Sequence, residues 1–394
     1  MNPSTISQVP FRMEPNPVLA IPECLEHTIH HVSGSRASRT DLLSCALVSK
    51  SWVLPAQSRL FKKITLDRDP QKAVVVCDLL KRSLGAAPHL AHFIQHLQIS
   101  LNIDVLKAIT EMALPNLEEL SVLCTDAQYR CRAEIETRFL MQSLLRLPTI
   151  RRVLVSGIFH SVSIIQTYFE NCAPGIRSLE LDAFVQPNLV DSDLPASALA
   201  HVASKIQLDR FILSSPCEGL DAWIFDSHCP FGFACLRTLH IGVEVWPSLQ
   251  SILAPSLPSI EELRIVEFSN EVDMDLSGLT ALKRLEFQQI YENWNLPDLL
   301  TVLQSLPSTH RVHTLGLWNY SVSAGDERKF KDFDAAIASM DTMHSLRRVE
   351  IHILETEWDS AAFESCFPAL SSKGYLYLDR ECCLDSSTCS TFIR

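Results

Sequence analysis

The chain has 394 residues, of which 47% are hydrophobic, and it carries a formal net charge of -12 at pH 7. This composition is typical of a folded protein, and the acidic balance opposes binding to nucleic acid and to anionic membranes. No apolar run is long enough to span a membrane and the first residues lack a secretory pattern, so we expect a cytoplasmic or nuclear protein.

The 13 cysteines are odd in number and scattered, and many of them lie inside apolar segments. Cysteines of this kind behave as small hydrophobic residues in proteins of a reducing compartment. The sequence therefore predicts no disulfide framework. The last residues, 379–394, contain three cysteines without the paired spacing of a zinc site, and we predict a flexible tail there.

Residues 1–18 are predicted to be disordered, and residues 19–66 predict three short helices. Pro22 suits the first turn of a helix, and Ile21, Leu25 and Ile29 recur on one face of it.

The second and third helices of this segment follow the polar loop SGSRASRT. Thr40 or Asp41 is expected to cap the second helix, DLLSCALVSKSW, which is apolar nearly all round. The third helix begins near Trp52 and continues past Pro55. Three short helices make too small a core to stand alone, so a neighbour must cover part of their apolar surface.

A different rhythm begins near residue 90, where an apolar residue is followed by two mostly polar residues, an apolar residue, a polar residue and another apolar residue. The instances are Ile94/Leu97/Ile99, Leu117/Leu120/Val122, Ile150/Val153/Val155, Ile176/Leu179/Leu181, Leu208/Phe211/Leu213, Leu236/Leu239/Ile241, Ile260/Leu263/Ile265, Leu282/Leu285/Phe287, Val312/Leu315/Leu317 and Leu346/Val349/Ile351. The sequence YLYL at 375–378 is a candidate eleventh. Each unit predicts a short strand with one buried face.

Segments with helical spacing lie between these units, and prolines commonly mark where each helical stretch ends. Short strand–helix units bury their apolar faces only when they stack side by side. We therefore expect an α/β protein in which residues 67–378 form an irregular solenoid with a curved parallel sheet.

The L-x-x-L-x-L core of these units resembles the leucine-rich repeat over roughly three quarters of the chain. The family's Asn or Cys after the core is absent, and apolar residues take its place, which implies longer buried strand ends. The equivalent positions hold Ile158, Phe184, Phe268, Ile290, Tyr320 and Leu354.

The N-terminal segment resembles the F-box, on the order of Ile21-Pro22, the first apolar face, DLLSCALVSKSW and a final Leu-Phe pair. An F-box ahead of such repeats resembles the F-box/leucine-rich-repeat proteins of fungi. The resemblance implies docking to the Skp adaptor of an SCF-type ubiquitin ligase and, through it, to a cullin, while the repeats bind the target. The implied adaptor-binding residues are Ile21, Pro22, Leu25, Ile29, Leu42, Leu43, Val48, Trp52, Leu60 and Phe61. Alternatively, these helices only cap a non-catalytic repeat scaffold.

Side chains that point away from the repeat core are expected to form columns across the sheet, with opposite charges side by side. The face is either a solvated surface or the target-binding site. The candidate target-binding residues are Glu180, Ile212, His240, Glu262, Arg264, Arg284, Glu286 and Glu350, together with Trp223 as an exposed anchor in an insertion.

Motifs for catalysis are missing from the sequence: it has no phosphate-binding loop, nucleophile elbow or HExxH helix. His27 and His31 share a helix face but have no third ligand nearby, so we expect no metal and no cofactor. A cysteine hydrolase is the enzymatic alternative, although no cysteine has a recognisable signature. We expect a protein that is not an enzyme.

Overall fold

A computed structural model of the chain describes residues 28, 38–48, 50–66, 69–124, 132–159, 161–185, 205–214, 220–226, 228–267, 274–289, 296–322, 327–356 and 360–379. The predictions for residues 1–18, for Ile21, Pro22, Leu25 and Ile29, and for the tail after Asp379 lie outside these ranges.

Fourteen strands lie in the described residues, and most are short, as the sequence pattern predicts. They are β1 (Lys63–Thr65), β2 (His96–Ser100), β3 (Glu119–Cys124), β4 (Arg152–Phe159), β5 (Ser178–Val185), β6 (Ile206–Gln207), β7 (Arg210–Leu213), β8 (Phe231–Gly232), β9 (Thr238–Gly242), β10 (Glu262–Val266), β11 (Arg284–Gln289), β12 (Thr314–Val322), β13 (Arg348–Thr356) and β14 (Leu376–Asp379). Each of the ten predicted units supplies a strand, and YLYL supplies β14.

Twelve of these strands form one open parallel sheet in the order β1-β2-β3-β4-β5-β7-β9-β10-β11-β12-β13-β14. Each inner strand of this sheet therefore lies between the strand of the sheet that precedes it in the chain and the one that follows it. The remaining two strands, β6 and β8, form a separate pair that the sequence pattern does not predict.

Helices connect many of the successive strands. They are α1 (Ser38–Val48), α2 (Lys50–Lys62), α3 (Pro70–Ala86), α4 (Ile103–Thr110), α5 (Arg132–Leu145), α6 (Val162–Tyr168), α7 (Leu220–Phe225), α8 (Trp246–Leu253), α9 (Leu296–Gln304), α10 (Glu327–Ser339), α11 (Ser360–Glu364) and α12 (Pro368–Ser372), with a 3-10 helix at Pro88–Phe93. Local chemistry fixes several starts: the side chains of Asp69, Asn102 and Ser161 accept hydrogen bonds from backbone N–H groups at the starts of α3, α4 and α6.

The main core lies between the sheet and the helices. Along β3 the burial alternates, so that Leu120 and Val122 point inward while Glu119 and Ser121 point away from the core. The same core runs without a break from Leu66 to residues of α12. Because the helices cover one face, the column-forming side chains occupy the other face of the sheet.

Three details of the elements differ from the sequence-based expectations. Thr40 and Asp41 lie inside α1, which already includes Ser38. The N-terminal unit ends before 66, because β1 pairs with β2 and Leu66 belongs to the main core. The strand β4 is long and reaches past Ile158, as the apolar substitution implies, but the Ile158 side chain is 39% exposed and not buried.

The expectation for Trp223 is wrong. Its side chain is only 4% exposed, and its ring stacks on Phe169 with the ring centroids 5.9 Å apart. It also meets the edge of Phe231. The insertion that carries Trp223 folds back over the core, where the large apolar ring loses contact with water.

Candidate functional site

The helices α1 and α2 pack against each other around a small core of their own. Leu42 and Ala56 are buried at its centre, and Cys45, Trp52 and Leu60 are among the partly buried residues that surround them. This cluster is separate from the main core. The α2 helix in turn contacts the 3-10 helix and β1, which joins the pair to the first strands of the sheet.

Apolar side chains remain exposed on this helix pair. Leu43 is 52% exposed, Leu47 88%, Val48 68% and Leu54 57%. We call these four residues the helical apolar surface. Leu43 and Leu47 are one helical turn apart, so they lie on the same face of α1. Neighbouring exposed apolar side chains are uncommon on proteins that act alone and are typical of surfaces that bind partners.

The described adaptor-binding candidates divide into three groups. Leu43 and Val48 are exposed, whereas Leu42 is buried and Trp52 and Leu60 are partly buried between the helices. Phe61 is partly buried and packs against the main core, a position that anchors α2 to the sheet.

Leu47 and Leu54 belong to the exposed surface although they are not among the predicted site residues. The sequence does contain a signal for exposed apolar residues: a helix that is apolar on nearly all sides cannot turn all of its residues toward one small core.

The open face of the sheet carries the predicted columns in continuous register. The column that we call the central column passes through Gln98, Ser121, Leu154, Glu180, Ile212, His240, Arg264, Glu286, Gly316, Glu350 and Tyr377. A flanking column starts each strand and includes Glu262, Arg284 and Arg348. The register thus brings the charged candidates together on neighbouring strands.

An ion-pair network links these charges across four strands. The Arg284 guanidinium pairs with Glu286 on its own strand and donates from Nη2 to Glu350 Oε2 at 2.5 Å. Arg264 lies 3.6 Å from Glu286, and Arg348 lies 2.6 Å from Glu350. The side chains of Glu286 and Glu350 are almost fully buried, so each depends on its arginines for compensation.

Gly316 makes the contact between Arg284 and Glu350 possible. It stands in the central column between Glu286 and Glu350, and it has no side chain. A Cβ at this position would lie 2.8 Å from Glu286 Cγ. The Arg284 side chain therefore reaches from β11 to β13 over the backbone of β12.

Rings and amides extend the network toward the carboxyl ends of the strands. Trp318 and His352 stack with their ring centroids 3.7 Å apart and their planes 9° apart. The Arg264 guanidinium lies over the Trp318 ring, 4.7 Å from its centroid, and its Nη2 donates to Gln288 Oε1 at 2.6 Å. Trp318 and His352 are not among the predicted candidates, because the sequence pattern assigns no role to residues beyond the repeated apolar core.

Burial and hydrogen bonding shift the protonation of other residues on this face. Burial lowers the pKa of His240, against the effect of its hydrogen bond with Glu262 at 3.3 Å. That hydrogen bond lowers the pKa of Glu262. Burial raises the pKa of Glu180, and the nearby Arg210 opposes this shift only in part.

The burial of several predicted contact residues changes their interpretation. Ile212, His240, Glu286 and Glu350 are each at most 8% exposed. Their side chains point away from the main core, and arginines of the same and nearby strands pair with the two buried carboxylates, Glu286 and Glu350. Glu286 and Glu350 therefore act as a framework for the face, and exposed residues such as Arg348 provide its outer surface.

Three buried cysteines do not resemble activated nucleophiles. Burial raises the pKa of Cys77 and of Cys229 to about 11 and that of Cys172 to about 12. A thiol with such a pKa is protonated at neutral pH and reacts slowly. At these positions the chemistry opposes the cysteine hydrolase alternative.

In the described part of the chain, no three His, Cys, Asp or Glu residues cluster in a way that could hold a metal ion. None of the described helices is both long and apolar enough to cross a membrane. No family model and no curated protein matches this sequence.

Proposed function

We propose that this protein is the substrate-recognition subunit of an SCF-type ubiquitin ligase, with an F-box in residues 19–66 and a leucine-rich-repeat-like solenoid after it. The F-box docks a Skp-type adaptor, which connects the chain to a cullin, and the repeats bind a target protein. The chain is not an enzyme in this account; it supplies proximity by holding the target near the transferring machinery.

The observation that carries the docking role is the helical apolar surface. Leu43 and Val48, two residues that the F-box resemblance assigns to the adaptor, are 52% and 68% exposed, although both are apolar. Burying such side chains against a partner stabilises the complex by roughly 1.5–3 kcal/mol for each one fully buried. The small core around Leu42 and Ala56 holds the helices that present them.

The parallel sheet supports the target-binding role. Twelve strands in chain order provide a long open face, and its buried ion-pair network fixes the side chains before any partner binds. A preorganised surface loses less conformational entropy on binding. Sheet faces of solenoids commonly bind proteins in this way.

A repeat scaffold without a ubiquitin role is the second candidate. The contacts of α2 with the 3-10 helix and β1 favour it, because a helical unit that covers the first strand protects the end of a repeat array. In that case the exposed apolar residues of α1 and α2 have no adaptor to bind.

Direct binding to a purified Skp-type adaptor separates the two candidates. Calorimetric titrations with the adaptor compare the wild-type chain with a Leu43→Glu/Val48→Glu variant. Adaptor binding to this variant would bury two negative charges in the proposed interface. The matched control is Val75→Glu/Leu79→Glu, because these α3 residues are similarly exposed, at 59% and 54%.

We expect the wild type and the control to bind the adaptor, and the Leu43→Glu/Val48→Glu variant to bind at least tenfold more weakly, a change of about 1.4 kcal/mol. Unaltered circular dichroism would show that the variant is folded. Absence of binding by the wild type would leave the scaffold function.

A further inference from the structure

Cationic side chains concentrate at one edge of the sheet. The residues immediately before the strands form a continuous hydrogen-bonded row, in which Arg177 N–H donates to the Arg151 carbonyl and Arg347 N–H to that of His313. From β4 to β13 this edge row contains Arg151, Arg177, Arg237, Lys283 and Arg347, against Asp209 and Glu261.

The flanking column repeats this bias one residue further along each strand. Between β4 and β13 it contains Arg152, Arg210, Arg284 and Arg348, against Glu262 alone. We call the cations of the two rows the basic band. Basic residues thus exceed acidic ones here, in a chain whose net charge is -12.

Some members of the basic band hold the sheet together. Arg151 Nη1 donates to the Gly175 carbonyl at 3.0 Å, and Arg177 Nη1 donates to the Gln207 carbonyl at 3.0 Å. Lys283 pairs with Glu261 at 2.7 Å. These three links hold the band to neighbouring strand starts and loops, and they explain part of the band without any ligand.

Other members remain exposed. Arg210, Arg237 and Arg347 lie at the surface and form no salt bridge with any described residue. Arg210 lies on β7, Arg237 just before β9 and Arg347 just before β13. The outer two of these strands, β7 and β13, are five strand positions apart in the sheet. At roughly 4.8 Å per strand they span about 24 Å, the length of about seven residues of extended chain.

We propose that the basic band binds an extended, carboxylate-rich segment of a protein partner. The three arginines follow one another along an edge and do not converge on one point, so they match charges distributed along a chain better than a single phosphate group. The overall negative charge of the protein repels a long polyanion such as nucleic acid, whereas a short acidic segment meets the local field of the band.

This inference deepens the proposed function, because it names the class of target that the sheet binds, and it rests on that target-binding role. The test uses fluorescence anisotropy of a labelled peptide of about ten residues, alternating Glu and Ser, with the full chain. Comparison probes are the same peptide with Lys in place of Glu, a peptide with one phosphoserine, and single-stranded DNA.

The variant Arg210→Gln/Arg237→Gln/Arg347→Gln removes the exposed cations. Its matched control, Lys72→Gln/Arg82→Gln/Arg328→Gln, removes the same charge from exposed positions on α3 and α10. If the triple variant does not fold, the double variant Arg237→Gln/Arg347→Gln replaces it.

We expect the wild type and the control to bind the Glu peptide, and the band variant to bind at least tenfold more weakly. Binding by the wild type should weaken strongly between ~50 and ~300 mM NaCl, because salt screens exposed charges. Equal binding by variant and wild type would overturn the proposal. So would preference for the phosphoserine peptide or for DNA.

Adaptor titration of the same samples keeps this test separate from that of the proposed function. The band variant should bind the adaptor as the wild type does. Adaptor binding without binding of the Glu peptide refutes the inference alone, and peptide binding without adaptor binding refutes the ubiquitin role alone.

Discussion

Gly316 decides whether Arg284 can reach Glu350 across an intervening strand. Any side chain here would enter the space beside Glu286 Cγ, 2.8 Å from the position of a Cβ. Glu350 would then lose one of the two arginines that compensate its buried charge.

We therefore expect Gly316→Ala to lower the free energy of unfolding by about 1–3 kcal/mol, as overpacking in a filled site does. Urea unfolding followed by circular dichroism measures it. The control is Gly85→Ala in α3, where nothing lies within 4 Å of a new Cβ and the stability should stay the same or rise slightly. Equal effects of the two changes would contradict this role of Gly316.

Glu180 predicts a second effect at the residue scale. Burial raises its pKa in the folded protein above the unfolded value, so the folded state binds the proton more tightly. Stability should therefore fall as the pH rises from the unfolded-state pKa through the folded-state pKa, and stay lower above it.

A Glu180→Gln variant has no charge to bury, so we expect it to be more stable than the wild type at pH 7. The difference should shrink as the pH falls below the unfolded-state pKa of about 4.3, because the wild-type carboxyl then becomes protonated in both states. Urea unfolding at several pH values measures it. The exposed Glu118→Gln should change stability by less than about 0.5 kcal/mol at each pH. A variant that is less stable at pH 7 would contradict the burial argument.

At the scale of elements, α1 and α2 form a unit whose core is separate from that of the sheet. Leu42→Ala should cost this unit about 2–4 kcal/mol, because it empties a buried site. We expect faster hydrogen exchange in Ser38–Val48 and Lys50–Lys62, while exchange in the strands stays unchanged.

Leu47→Ala is the control for this change, since Leu47 is 88% exposed and its truncation leaves the small core filled. Mass spectrometry of exchanged fragments follows both variants. If Leu42→Ala accelerated exchange throughout the sheet, the two cores would act as one cooperative unit.

The strands β2–β5, β7 and β9–β13 were predictable from the sequence because each one needs only a local pattern, an apolar triplet with alternating burial. The short strand β1 carries no such triplet and was not predicted. Their parallel order followed from the helices between them, since a crossover must return the chain to the same edge. The pair β6–β8 was not predictable, because its two-residue strands carry no periodicity. The exposure of Trp223 was predicted wrongly for a related reason. An insertion has no repeat pattern that would show whether a side chain points toward the core or toward solvent.

The candidate site was only partly predictable. The register of the central column follows from the repeat, so the neighbours of Arg264 and Glu286 could be named from the sequence. Their burial could not, because it depends on long side chains from three strands and on the missing side chain of Gly316. Side chains beyond the repeated core, such as Trp318 and His352, had no pattern to reveal them.

At the scale of the whole molecule, the structure separates two surfaces of different chemistry. Apolar side chains are exposed on α1 and α2 near the first strand, whereas the basic band runs along the amino edge of β4 to β13. A molecule that joins two different partners needs two such surfaces, and changes in one should leave binding at the other intact.

The most direct test of the proposed function is affinity purification of the full chain from cells, with the recovered Skp-type adaptor and cullin quantified. We predict both proteins with the wild type and with the Val75→Glu/Leu79→Glu control, and neither with folded Leu43→Glu/Val48→Glu. Recovery of no adaptor with the wild type, or equal recovery with the Leu43→Glu/Val48→Glu variant, would contradict the account.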